Sequence, residues 1–483
     1  MRQVFLFVFV FFTLNTMHSQ DEVSFKLKNQ FYLKGDAFYI GNNILSKNSK
    51  TPYTSFSIIN DDINMQYIDV DSDPSTFSSS KSSFSLKDNT ARVISATLYW
   101  SAVYPYAKGG RGVKKNTYYY KKNEDRFGDY TQIKFKTPSN KEYLDIKGSV
   151  LFDGIHDENY NENAPYVCYA DVTHIFSKTN NGSGEYTVAN IRATEGYVSG
   201  GSAAGWFLFI VYESDLEKER YITAFDGFST LSDNFVDIEF KDFKTKNSGD
   251  SNATIFVATL EGDSKLIKDQ CGIYNSKTKQ IQYFGNSLRS QQNFFNGKMT
   301  IDNRYFTKRK PNGPNTLGFD VLKLKLSDKL IESNQTSTTL RLESRSDRFY
   351  FYFTAFKTEI SKIFYEAKTI IEQESKEEIR DELFTAKEEE AFKKILKEEN
   401  LKIPGLQSGF YIITNVFSIK SNADNWQKFL ISKGHRPEIF QNPENNWYYV
   451  YIYNDIEDFK VYKRHQMLEK LDYFKEIWVF KIN

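Results

Sequence analysis

Between residues 21 and 360 the chain alternates short runs of β-branched and aromatic residues with breaks of Gly, Asn, Asp and Ser. Phe38-Tyr39-Ile40, Val93 to Trp100, Trp206 to Tyr212 and Ala253 to Ala258 are such runs. Strands at this density, with no sustained helical period, predict a large β-sandwich or jelly roll over 21–360, with room for two subdomains. The unbroken apolar run 206–212 predicts a central strand covered on both faces, because a strand with one wet face must alternate. Thr338-Thr339-Leu340-Arg341-Leu342-Glu343-Ser344 does alternate, and predicts a strand of the half-buried kind.

The pattern changes at residue 361. Residues 361–400 hold eleven Glu and seven Lys, with Ile363, Ala367, Ile370, Ile379, Leu383, Ala386, Phe392 and Leu396 at spacings close to three and four. That predicts an amphipathic helical connector over 361–404, broken in two and ended by Pro404-Gly405, with its charged side in water. The remainder, 405–483, reads strand (Phe410 to Phe417), helix (Asn422 to Lys433, capped by Gly434), strand (Glu438 to Gln441), a turn at Asn445-Asn446, strand (Trp447 to Tyr453), helix (Ile456 to Leu471) and strand (Glu476 to Ile482). This βαββαβ order puts both helices on one side of the sheet and leaves the other face free. Period-two alternation then groups Trp447, Tyr449, Tyr451 and Tyr453 on one face, opposite Tyr448, Val450 and Ile452. Such a stripe stacks on sugar rings, docks a protein or fills a core. The fold class is mainly β with an α+β end.

Met1-Arg2-Gln3, the apolar run Val4 to Phe12 and the small residue Ser19 before Gln20 have the form of a signal peptide over 1–19, too short to span a bilayer. No Cys near the cleavage point is available for lipidation. The protein is therefore expected to be exported, soluble and not membrane-spanning. Its net charge of +1 argues against a nucleic-acid partner. Phe and Tyr together number 74, which suits strand-rich folds. Export leads to an oxidising compartment, where Cys168 and Cys271 form a disulfide if the fold brings them within reach and otherwise remain buried thiols.

Catalytic and metal patterns are sparse. The five histidines, at 18, 156, 174, 435 and 465, have no metal-ligand spacing, so no metal and no cofactor are expected. Gly200-Gly201-Ser202-Ala203-Ala204-Gly205 has Ala where a nucleophile elbow needs Gly, and reads as a turn before the buried strand. Asp69-Val70-Asp71-Ser72-Asp73 opens like a calcium loop, but Pro74 and Ser80 stand where Gly and Glu belong. Gly109-Gly110-Arg111-Gly112 lacks the Lys-Ser/Thr of a phosphate cradle. Asp226-Gly227 reads as a turn pair and Asp171 as a loop carboxylate. No pair among the many carboxylates is marked for acid–base work.

Two resemblances add to this reading. Gly409-Phe410-Tyr411-Ile412-Ile413-Thr414-Asn415-Val416-Phe417, Asn422-Ala423 and Asn442-Pro443-Glu444-Asn445-Asn446-Trp447-Tyr448-Tyr449-Val450-Tyr451 resemble the SPOR (sporulation-related repeat) family over 405–483. The resemblance implies binding of denuded peptidoglycan glycan on the free sheet face. In that family the first strand offers Gln and Ser and the third Trp and Arg; here those positions hold Ile413, Val416, Trp447 and Tyr449, so only the Trp is kept. Glycan or partner binding is therefore expected at Trp447, Tyr449, Tyr451, Tyr453, Ile413 and Val416. Secondly, Gly205 to Glu213 with Arg220 to Phe228, Ala96 to Trp100, Ala170 to Thr173 and Asn312 to Asp320 resemble the β-sandwich region of Bacteroidota surface adhesins and gliding-motility accessory proteins. Together they imply a non-enzymatic accessory protein in the periplasm or cell envelope. Its partners would be peptidoglycan or an envelope protein at one end and an adhesin or gliding-machinery component at the other. The alternatives are a carbohydrate-active enzyme targeted to the wall by its C-terminal domain, and a surface adhesin in its own right.

Overall fold

The computed structural model describes residues 23–160, 162–176, 181–368, 386–398, 403, 406–474 and 476–482. The expected signal peptide, most of the connector's middle and Pro404-Gly405 lie outside the described residues.

The large region is a β protein organised by one strand. Val23–Asn43 is 21 residues long and lies inside an eleven-stranded sheet. Its first half pairs with Glu219–Leu231 and its second half with Ala204–Glu213, so it belongs to two half-sheets at once. The halves fold face to face. Tyr99 and Phe207 from one meet Phe353 of the other at 5.1 Å between ring centroids, and Phe209 meets Phe256 at 5.3 Å.

Each half is covered on its outer side by a smaller sheet, which makes two sandwiches joined along a seam. A five-stranded sheet, including Ser79–Phe84, Gln132–Lys136 and Gly184–Ala189, covers the first half. There the Trp206 indole donates to Ser80 Oγ at 2.9 Å. A four-stranded sheet, including Asn234–Phe240, Asp269–Asn275 and Thr338–Ser344, covers the second. In Thr254–Gly262 the side chains alternate between cores: Phe256, Ala258 and Leu260 point to the seam, Ile255 and Val257 outward. Trp206 to Tyr212 is buried throughout between Arg92–Val103 and Val23–Asn43, which is the central strand that its unbroken apolar run requires. Each such ring removed from water contributes about 2–3 kcal/mol, less whatever the unfolded chain already hides.

Three expectations change. Cys168 lies in the first core and Cys271 in the second; both are free, so no disulfide links them. Asp226-Gly227 is not a turn but a bulge inside Glu219–Leu231. There the Asp226 carboxylate accepts the Tyr99 hydroxyl at 2.9 Å and meets Lys28 at 3.3 Å, and a side chain at Gly227 would sit 2.7 Å from the Val23 carbonyl oxygen. Finally, the connector is not a free spacer at its ends. Residues 362–368 are helical and bury Phe364 in the second core, while Ala386–Ile395 is a helix whose successor, Leu396–Glu398, joins the C-terminal sheet. The C-terminal unit therefore extends back to residue 386.

That unit has the βαββαβ order read from the sequence. Its strands are Gly409–Phe417, Glu438–Gln441, Tyr448–Asp455 and Trp478–Ile482, and its helices Lys420–Ser432 and Asp458–Leu468. Both helices pack on one sheet face, against Ile412, Val450 and Val479. Ser432 at the end of the first helix accepts a hydrogen bond from Lys244 of the second sandwich at 3.0 Å.

Candidate functional site

Trp447 lies just before its strand, not in it, and is 48% exposed. A tight turn presents it: Asn442 N–H donates to the Trp447 carbonyl at 2.9 Å, Asn446 sits at φ 61°, and Trp447 N–H donates to Asn445 Oδ1 at 2.9 Å. Beside it Tyr449 is half-buried, stacked on Phe440 at 5.2 Å and 15°, with its hydroxyl accepting from Asn445 Nδ2 at 3.1 Å.

The rest of the expected stripe is not open. Tyr451 is 7% exposed, edge-on to Tyr411 at 5.0 Å. Ile413 is fully buried in the same cluster, with Ile403, Phe440, Phe480 and Ile482, and Val416 is half-buried at its margin. The sheet face opposite the helices is thus a small second core, flanked by half-buried Leu406 and by Trp478 under the Lys397 ammonium at 4.2 Å. Large side chains from four strands close over one another there, an outcome that period-two alternation does not report. Tyr453 leaves the stripe altogether. The register pairs Ile413 with Tyr451 but the adjacent Ile412 with Tyr453, so a bulge at Ile452 turns Tyr453 to the helix side, beneath Arg464 at 5.2 Å. Of the six expected residues, Trp447, Tyr449 and Val416 remain reachable.

A second constellation, not singled out from sequence, lies beside the seam. Thr254–Gly262 carries a bulge that places Glu261 at φ 69°, in the left-handed region, with 5% exposure and no hydrogen-bond partner on Oε1. Asp61, in the short turn Asn60–Asp62, accepts the Gly200 N–H at 3.0 Å. Asp263 accepts Asn60 N–H at 3.2 Å, and Asn60 Nδ2 is buried without a partner. Gly201, at φ 92°, closes the group: a side chain there would stand 2.7 Å from Glu261 Oε2 and 3.6 Å from Asp61 Oδ1. Burial, then the charge of Asp61, raises Glu261 well above the usual carboxyl range. Burial likewise raises Asp61 and Asp263 and pushes Asp347 up to about 8. All four shifts run in the direction that favours the protonated carboxyl, the direction a proton donor needs. Among the described residues no three His, Cys, Asp or Glu side chains are arranged to hold a metal ion. In the acidic loop Asp71 accepts the Asp73 N–H at 3.0 Å and Thr76 Oγ1 at 3.1 Å.

No family model matches the chain, and no curated protein matches it. Among solved structures, one of PNGF-II aligns over 68% of this chain and 66% of that one, at 10% identity and a TM-score of 0.19. A likeness that slight carries no argument about fold or activity.

The seam carboxyls had one signal in the sequence, the Gly200-Gly201 pair, since two adjacent glycines before a buried strand mark a backbone held close to something. What that something is comes from residues 140 positions upstream and 60 downstream of the pair, which no local pattern connects.

Proposed function

We propose that this is an exported, non-enzymatic cell-envelope protein whose C-terminal unit docks to peptidoglycan glycan or to an envelope protein. Its paired sandwiches would hold a component of a surface adhesin or gliding apparatus. The observation that supports docking is Trp447: a large ring held half out of the surface by a hydrogen-bonded turn, with Tyr449 next to it. An indole so fixed gives up little conformational freedom when a sugar ring or a partner side chain stacks on it. The binding surface is then the rim formed by Trp447, Tyr449, Asn445 and Val416, not the whole sheet face.

The test is retention of the full chain on denuded peptidoglycan. Wild type is retained, and Trp447→Ala lowers the affinity about fivefold, the loss of one stacking platform of about 1 kcal/mol. Absence of retention, or equal retention of the two proteins, overturns wall docking through this rim.

A second reading, a carbohydrate-active enzyme brought to the wall by its C-terminal unit, is favoured by Glu261. A buried carboxyl whose pKa is raised by burial and by the nearby charge of Asp61 is what an acid-catalysed glycoside cleavage needs.

A further inference from the structure

Tyr106–Lys114 and Thr117–Asp125 form a separate two-stranded ribbon. The two strands are joined by Lys115 and Asn116, at φ 49° and 65°, the left-handed pair of a tight hairpin turn. The base is tied to the body: Arg111 pairs with Asp62 and its guanidinium lies over Tyr197 at 4.4 Å, and within the ribbon it also lies over Tyr118 at 4.2 Å. Beyond the base, every residue from Val113 to Tyr119 is exposed.

Two properties coincide at that tip. The first is charge: the distal residues 113–121 carry Lys114, Lys115 and Lys121 and no Asp or Glu, in a chain whose net charge is +1, while Glu124 and Asp125 lie at the base, where Asp125 pairs with Lys122. The second is apolar exposure, with Val113 at 63%, Tyr118 at 57% and Tyr119 at 47%. The register pairs Val113 with Tyr118 and Gly112 with Tyr119, so both faces of the ribbon carry a ring near the turn. A soluble polyanion would be served by the lysines alone and has no use for an exposed valine and two rings. A phospholipid surface uses both. Tyrosine rings settle at headgroup depth, the valine reaches the acyl boundary, and flexible lysine stems keep their ammonium groups at the phosphates.

We propose that the 106–125 ribbon docks this protein on an anionic phospholipid surface by its tip, with Val113, Tyr118 and Tyr119 inserted and Lys114, Lys115 and Lys121 at the headgroups. The contact needs no membrane-spanning segment and does not depend on how the C-terminal unit binds. Among the described residues no helix is long and apolar enough to cross a membrane.

Flotation of the full chain with vesicles tests it. With equal parts phosphatidylglycerol and phosphatidylcholine the wild type co-floats, with pure phosphatidylcholine it stays behind, and added salt releases it. Lys114→Ala with Lys115→Ala lowers partitioning about 25-fold, roughly fivefold for each lysine. Val113→Ser with Tyr118→Ser lowers it at unchanged charge. Because the tip is solvent-exposed, neither variant disturbs a core, and unchanged circular dichroism verifies this. No co-flotation with anionic vesicles overturns the proposal, as does equal co-flotation of the variants. Binding of dextran sulfate that is lost in the lysine variant, without vesicle binding, would assign the ribbon to soluble polyanions instead.

Discussion

Asp269 should give the second sandwich a stability that falls as pH rises. Its carboxyl is wholly buried; Oδ1 accepts the N–H groups of Phe294 and Phe295 at 2.7 Å each, and Oδ2 has no partner. Burial is the main cause that pushes its pKa from 3.8 to about 7, and the charge of Asp320 adds to it. Between those values the folded state keeps a proton that the unfolded chain has released. The associated stability is therefore complete below pH 4 and is lost as pH rises through 7. From pH 5 to pH 8 the loss comes to about 2–3 kcal/mol from this group alone. Asp269→Asn keeps an oxygen for both N–H groups and cannot ionise. Urea unfolding followed by tyrosine and tryptophan fluorescence at pH 5 and pH 8 should show a decline in wild type that is smaller by about 2–3 kcal/mol in the variant. Identical declines in the two proteins would refute the argument, since they would mean that Asp269 is ionised in the fold throughout.

Further outcomes follow from the two cores and the seam. Burial raises both thiols, Cys168 and Cys271, far above neutral pH, so a thiol reagent should label neither in the native protein and both after denaturation; a mass shift of two hydrogens under non-reducing conditions would contradict the separate cores. If the seam carboxyls act on glycan, wild type releases reducing sugar from peptidoglycan and Glu261→Gln lowers the rate at least about 100-fold at unchanged fold. No release by wild type removes the enzymatic reading and leaves docking.

Several elements were legible because their determinants are local. Glu438 to Gln441 is a strand with the limits its residues predict, and Gly434, at φ 94°, ends the preceding helix as a C-terminal glycine should. The run 206–212 reports its own burial, because a chain that is apolar at successive positions has no face to give to water. The stripe 447–453 misled for the complementary reason. Its alternation is sound for three residues, and then one bulge at Ile452 moves Tyr453 to the other side of the sheet. A one-residue slip of that kind is set by the partner strand, whose own shift between Ile413 and Asn415 is invisible in its sequence.

What the sequence by itself determined is the strand-rich character of 21–360, the order of the C-terminal unit and the break in character at residue 361, all consequences of periodicity and turn chemistry within a few residues. Only the tertiary structure decided that Val23–Asn43 serves two sandwiches, that the cysteines lie in different cores, and that Glu261 and Asp61 converge on Gly201. Those facts depend on contacts between residues hundreds of positions apart. Their energy comes from burying one surface against another, and the chain's local pattern records that a surface must be buried without recording which surface will cover it.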